Sequence, residues 1–301
     1  MKKLLSIGCL VLMPNIGWAC ACGCGVFDVQ TSALFPTAAG GVSFLEVNYM
    51  DQNRNWSGAA SAPAAANKDK EIRTEYFTAG LQYMFNRDWG VLAEVPVESR
   101  SFRTTTDEGD LARYNHTALG DVRLKAIYAG FSEDMSSGLT LGLKLPTGDY
   151  TYPNFDCDTQ IGTGSTDVLL GGYMQGKLAL VRDWNWFATV QLDQAVLQTD
   201  TYHPGSELDG VAGVYYNGWR VQQCKIAPVL QAIASHHWRD GGSGADPDNT
   251  GYDRLLLAPG VEFDIANVAL YFEVALPVYE YVNGQQLVAE NLLTLRLSCS
   301  F

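Results

Sequence analysis

From about residue 42 to the end of the chain, apolar and polar side chains alternate at every second position, the repeat of a strand whose two faces meet different surroundings. The last residues show this most clearly. Leu293, Leu295, Leu297, Cys299 and the terminal Phe301 share one parity, while Leu292, Thr294, Arg296, Ser298 and Ser300 share the other. The same alternation recurs at about 42–50, 72–85, 90–99, 119–130, 138–146, 166–175, 185–196, 210–216, 221–235, 254–264, 267–281 and 287–301, which predicts twelve strands. Leu139, Leu141, Leu143 and Leu145 alternate with Thr140, Gly142, Lys144 and Pro146. Val268, Leu270, Phe272, Val274, Leu276 and Val278 stand against Tyr271, Glu273 and Tyr279. Most runs are close to the ~9–11 residues that cross a bilayer at a tilt.

The connections alternate too. Short turns are expected at 86–89, 132–137, 176–184, 217–219 and 264–267, and long polar links at 51–71, 100–118, 147–165, 197–209 and 236–253, with a short last link at Asn283-Gly284. A soluble sandwich has no reason for this asymmetry. An outer-membrane barrel does, with its long loops outside the cell and, for an even strand number, both termini in the periplasm. The predicted fold is therefore all-β, a closed antiparallel transmembrane barrel of about twelve strands over residues 42–301. Trp89, Trp184, Trp186 and Trp219 flank the short turns, as an interfacial girdle would, with Tyr49, Trp56 and Trp238 expected nearer the outer rim.

The amino terminus fits that destination. Lys2 and Lys3 precede the apolar run Leu4–Met13, then Pro14 and small residues, so residues 1–19 read as a secretory signal, with Ala21 as the other cleavage point. Removing two lysines leaves 18 basic residues against 33 acidic ones, a net charge near −15, which speaks against a nucleic-acid partner. Outer-membrane lipid, a small-molecule solute and the barrel assembly machinery, reading the strand that ends at Phe301, are the expected partners.

A charge on the lipid face costs about 2–4 kcal/mol at mid-depth, so charges within strands must share the inward parity. This places Glu94, Glu98, Asp121, Arg123, Lys125, Lys144, Asp167, Asp193, Lys225, Glu262, Glu273 and Arg296 in the lumen, with Glu46, Gln191 and Gln223. They are the candidate lining of a channel or, alternatively, a salt-bridged filling. Twelve strands lie between the ~8 that side chains fill and the ~16–18 of open porins, so the expectation is a narrow or plugged channel. Residues 20–41 are the candidate periplasmic segment or plug. Within it, Cys20, Cys22 and Cys24 recur every second residue, as three thiolates on one side of an extended segment would, and are candidate ligands for zinc or copper(I). No cofactor is called for. Ser235-His236-His237 and His116-Thr117 are the only nucleophile–base neighbours near a rim, and neither has a patterned third partner, so no enzyme is expected. An outer-membrane protein that binds through its long loops is the alternative function.

Three stretches carry a family resemblance: Leu119-Gly-Asp-Val-Arg-Leu-Lys-Ala-Ile-Tyr128, Leu141-Gly-Leu-Lys-Leu-Pro-Thr-Gly-Asp149 and Ile161-Gly-Thr-Gly-Ser-Thr-Asp-Val-Leu-Leu170. Together they resemble the outer-membrane transporter family associated with the meta-pathway of phenol degradation. The resemblance covers about 120–175 and implies an outer-membrane barrel that passes small, often aromatic, molecules. The Cys-Ala-Cys-Gly-Cys-Gly run is not part of that family's pattern.

Overall fold

The computed structural model describes residues 35, 36, 38–179 and 181–301. Its strands are Gly40–Gly58 (β1), Ala60–Ser61 (β2), Asp69–Met84 (β3), Trp89–Thr105 (β4), Leu111–Leu119 (β5), Val122–Tyr128 (β6), Ser137–Leu145 (β7), Thr166–Lys177 (β8), Trp184–Leu197 (β9), Glu207–Tyr216 (β10), Trp219–Val221 (β11), Cys224–His237 (β12), Tyr252–Ile265 (β13) and Val268–Ser300 (β14). Neighbours pair antiparallel in the order β1, β3, β4, β6, β7, β8, β9, β10, β12, β13, β14 and back to β1, so the ring closes. Closure removes the edge strands whose backbone groups would otherwise be unpaired in lipid.

Eleven segments make this ring, and β14 crosses it twice. Residues 268–282 pair with β13 and residues 285–300 with β1, while the Ser300 amide bonds the Asn267 carbonyl across the base of the hairpin. The turn is Asn283-Gly284, with Gly284 at φ 59°, a conformation that an Asn-Gly pair readily adopts. Twelve crossings result, as the alternation predicts. β5 continues the β6 crossing past a break at Gly120-Asp121, and β11 continues that of β10 past Asn217-Gly218. The turn expected at 217–219 therefore lies lower, at Gln222-Gln223, and Gln223 is exposed in it rather than lumenal. A second correction concerns Tyr279. A bulge at Val278, where Leu255 faces Tyr279 but Leu256 faces Pro277, reverses the parity, so Tyr279 and Tyr281 turn outward and Glu280 turns in.

The outward face marks the bilayer. Leu45 and Val47 on β1, Phe77, Leu81 and Tyr83 on β3, and Val91, Val95 and Val97 on β4 are exposed and apolar, as lipid requires. The outward positions turn polar beyond one line, at Asp51, Glu75, Ser99 and Thr117, where Glu75 is registered with Ser99 and Ser99 with Thr117. Strands β1, β3, β4 and β5 run about seven residues past this line, roughly 20 Å of extended chain. By contrast β7 and β8 end short of its register, at Leu145 and Thr166. Much of the expected links 51–71 and 100–118 is therefore strand, a tall flap on one side of the outer rim.

Candidate functional site

The lumenal wall is polar along one arc after another, and its charges meet each other. Arg296 pairs with Glu46, to which Asn48 donates at 2.7 Å, and Thr294 donates to Asn48 at 2.8 Å. Glu273 accepts from Tyr271 and from Gln231, both at 2.5 Å. Lys125 donates to Gln191 at 2.8 Å and lies 3.5 Å from Glu94. Lys144 bridges Asp167 and Asp193, the latter at 3.3 Å. Arg123 sits in register between Glu94 and Lys144. Near the inner rim, Lys225 donates to Asp264 at 2.9 Å, and Lys225 and Glu262 line the cavity there. Interleaved with these groups are buried apolar side chains, including Phe44, Leu92, Ile127, Phe187 and Leu256.

The outer mouth is covered by loops that fold inward. Residues 146–165 are stapled at both feet by Asp121, whose carboxylate accepts from the Gly148 amide and from the Thr163 amide and hydroxyl, each at 2.9 Å. The two feet touch at Gly148 and Gly162, where a Cβ on Gly162 would lie 2.5 Å from the Gly148 carbonyl carbon. Farther out, the buried Arg100 guanidinium donates to the carbonyls of Thr159 at 2.6 Å and Gln160 at 2.8 Å, while Glu98 lies 3.2 Å from it. Ile161 and Gln160 are buried by this arrangement. A space of only about 70 Å³ is left between the loop and Lys144, Asp167 and Asp193. The neighbouring loops join the cover: His203 and Gly241 exchange two backbone bonds, and Asp240 accepts from Tyr202 at 2.9 Å and from the Gly205 amide at 2.8 Å.

Acid collects at the tip of this cover. Burial, reinforced by Asp156, Asp240 and Asp69, holds Asp158 well above the ordinary carboxylate range. Burial also raises Asp156, against the pull of Lys68. At the loop's outer foot the order reverses. The Thr151 amide and His116 hold Asp149 below its ordinary value.

The inner mouth is built differently. Phe35 projects among the lumenal side chains, stacked on Tyr173 at 5.1 Å and tilted against Phe187 at 5.8 Å. Beside it is a cavity of about 390 Å³ lined by Pro36, Gln82, Tyr215, Glu262 and Phe301. Phe301 exchanges two backbone hydrogen bonds with Gly41, at 2.8 and 2.9 Å.

Sequence reasoning placed all twelve candidate lining residues on the inward parity, and the structure brings most of them into direct pairs. Asp121 is the exception in kind, because it serves the loop. Arg100 was missed because the predicted strand ended at 99. Its parity with Glu94 and Glu98 is the signal that marks it. The serine–histidine neighbours separate: Ser235 turns inward to Asp209 at 2.5 Å and His236 outward to Asp253 at 2.6 Å. His116 meets Asp149 at 2.8 Å while Thr117 meets Ser99 at 3.0 Å on the opposite face. Cys20, Cys22, Cys24 and the signal segment lie outside the described residues. Among the described residues, Cys157, Cys224 and Cys299 form no disulfide.

No protein-family model and no curated protein matches the sequence. Among solved structures, the chain is similar to the COG4313 outer membrane channel from Pseudomonas putida F1, with a TM-score of 0.67 at 13% identity over 91% of this chain and 100% of that one. It is also similar to the β domain of the Bordetella autotransporter BrkA, with a TM-score of 0.51 at 13% identity over 87% of this chain and 100% of that one. At such identities the likeness is one of fold. That fold is the outer-membrane β-barrel.

Proposed function

We propose that this outer-membrane barrel is a channel for small molecules, with Glu94, Glu98, Asp121, Arg123, Lys125, Lys144, Asp167, Asp193, Lys225, Glu262, Glu273 and Arg296 as its polar lining. The observation that carries this reading is the lumen itself. Its charges are partnered mostly by other side chains, which can re-pair around a passing solute, and its two ends are covered by peripheral segments rather than by the wall. Residues 20–41 act as the inner plug, and Phe35, among the described residues of that segment, packs against the lumenal Tyr173. The family resemblance points to small aromatic solutes, and Phe44, Tyr173, Phe187 and Tyr271 are buried apolar side chains among the charges.

Planar-bilayer conductance and liposome uptake test the channel reading. Solute flux is expected once residues 20–38 are removed and the outer loop is released. A folded barrel that passes neither ions nor solutes in that form and with the outer loop released would overturn it and favour binding through the loops. Uptake of an aromatic acid over a sugar of similar size tests the solute class. Two smaller proposals accompany this one. Phe301 and its strand are read by the barrel assembly machinery, and Cys20, Cys22 and Cys24 hold a soft metal. Replacing Cys22 and Cys24 by serine is expected to abolish metal retained through purification.

A further inference from the structure

Above the bilayer, the flap of β3, β4 and β5 and loop residues 153–156 flank a further, half-open cavity of about 320 Å³, the size of a small-ligand site. Three of its walls are aromatic. Phe102 and Phe155 are buried and meet edge to face at 5.8 Å, and Tyr114 packs against the same cluster, which rests on Ile72 and Leu287.

The other walls carry more acid than base. Asp69, Asp107 and Asp156 line the cavity, and Lys68 is the cation among the lining residues. Lys68 is engaged by Asp107 at 3.0 Å. Lys70 is directed to the carbonyls of Ala64 and Asn67 instead. Asp69 is only 3% exposed. Its Oδ1 accepts from Thr104 at 2.7 Å, whereas its Oδ2 is buried without a hydrogen-bond partner. A buried carboxylate oxygen without a donor is costly, and a ligand that supplies one recovers that cost. An apolar hydrocarbon would leave the oxygen as it is, and an anion would meet three carboxylates. A cation with an aromatic body answers both walls, because aromatic faces attract cations and ionised acceptors bind charged donors strongly.

We propose that this cavity binds a small primary amine carried on an aromatic ring, its ammonium group toward Asp69 and Asp156 and its ring among Phe102, Phe155 and Tyr114. The site stands whether or not the barrel conducts, since no step of it involves the lumen.

Titration bears on the same site. Burial pushes Asp69 up to about 7, with Thr104 opposing and Asp156 adding to the rise, while Lys70 and Lys68 pull it down. Asp158, on the same loop, faces Asp69 as a further acid. Amine binding should therefore strengthen as pH rises toward 7 and Asp69 ionises, by up to about tenfold per pH unit below that value.

The test uses the full chain in detergent, with 2-phenylethylamine as the probe, and 2-phenylethanol and 3-phenylpropionate as neutral and anionic comparators of similar shape. Calorimetry or saturation-transfer NMR is expected to show the amine bound at least about tenfold more tightly than either comparator, the worth of a hydrogen bond to a charged group. Asp69→Asn should remove that preference. Because Asp69 is buried, Asp156→Asn and Phe155→Ala, both in the loop, serve as second variants, each expected to weaken amine binding several-fold while the barrel keeps its heat-modifiable migration on gels. Equal binding of amine and alcohol, or binding unchanged in the Asp69→Asn and Phe155→Ala proteins, would overturn the proposal.

Discussion

The two mouths of this barrel hold the chain segments that reach into them by opposite means. At the outer mouth, loop 146–165 is held by hydrogen bonds to two charged side chains, Asp121 and Arg100, and carries half-buried acid at its tip. At the inner mouth, Phe35 is held by stacking on Tyr173 and Phe187. Polar closure is directional and responds to protons. Apolar packing is neither directional nor strongly dependent on pH. If residues 20–41 plug the inner mouth as proposed, one molecule carries two covers in series that different conditions can address separately.

Series closure makes the largest expected effect a joint one. Deleting residues 20–38 alone, or changing Arg100→Ala alone, leaves the other cover in place, so each should raise bilayer conductance modestly. Together they should raise it by about tenfold or more than the sum of the two, the non-additivity expected of coupled elements. Additive conductance would mean that only one mouth limits passage, and would break the comparison at its root.

The next effect separates the mouths energetically. Arg100→Ala removes one member of a buried, hydrogen-bonded charge network and leaves Glu98 without that partner, a change that typically costs about 3–5 kcal/mol. The cost falls on the loop, so protease cleavage within 150–161 should accelerate sharply while barrel migration on gels is unchanged. Arg100→Lys should recover part of the protection, since its ammonium can donate to the two carbonyls that one guanidinium nitrogen serves but not also to Thr74 and Glu98.

Phe35→Ala probes the other mouth and should matter somewhat less. Phe35 is 5% exposed, and truncating a buried phenylalanine costs about 3–5 kcal/mol where a cavity is left. Here an open cavity already adjoins the site, so relaxation keeps the loss toward the lower end of that range. Cross-linking or fluorescence quenching of a probe placed at residue 36 should report an undocked segment. The response is expected to be the same at low and high salt. A strong salt dependence would mean that charge, not packing, holds the inner segment.

What the sequence made legible follows the same division. The wall was readable because lipid enforces a strict rule on one face, so Glu94, Lys125, Lys144 and Arg296 had no other parity available. The covers obey no such period. Nothing in the order of residues 146–165 states that Thr159 and Gln160 offer their carbonyls to Arg100, since backbone acceptors leave no mark on side-chain pattern. Strand length was underestimated for a related reason. Beyond Glu75 and Ser99 the outward positions become polar, and alternation of polar with polar reads as loop although the ladder continues to Asp69 and Thr105. The bulge at Val278 is silent for a third reason, because one inserted residue keeps composition intact while it reverses every later side chain.

The smallest effect is the most diagnostic, because pH should move one mouth and not the other. Asp156 and Asp158 are raised by burial in the closed loop, and Asp69 is raised to about 7, so the closed state binds more protons than an open one with carboxylates near 4. A carboxylate whose folded value is raised contributes to closure fully below its open-state value and loses that contribution as pH rises through the folded one. The outer loop should therefore be best protected in acid and become more accessible between about pH 4 and 7, each group weakening closure by at most roughly 1.4 kcal/mol for every pH unit crossed. Partial solvent access at the tip will reduce this. Hydrogen exchange at 148–165 should rise beyond its intrinsic pH dependence across that window, and Asp158→Asn, which cannot ionise, should flatten the rise. Exchange around Phe35 should show no such excess. If the protection runs the other way, strengthening from pH 4 to 7, the loop is held by ionised carboxylates in salt bridges. The outer mouth would then be a charge-paired lock rather than one that protons keep shut.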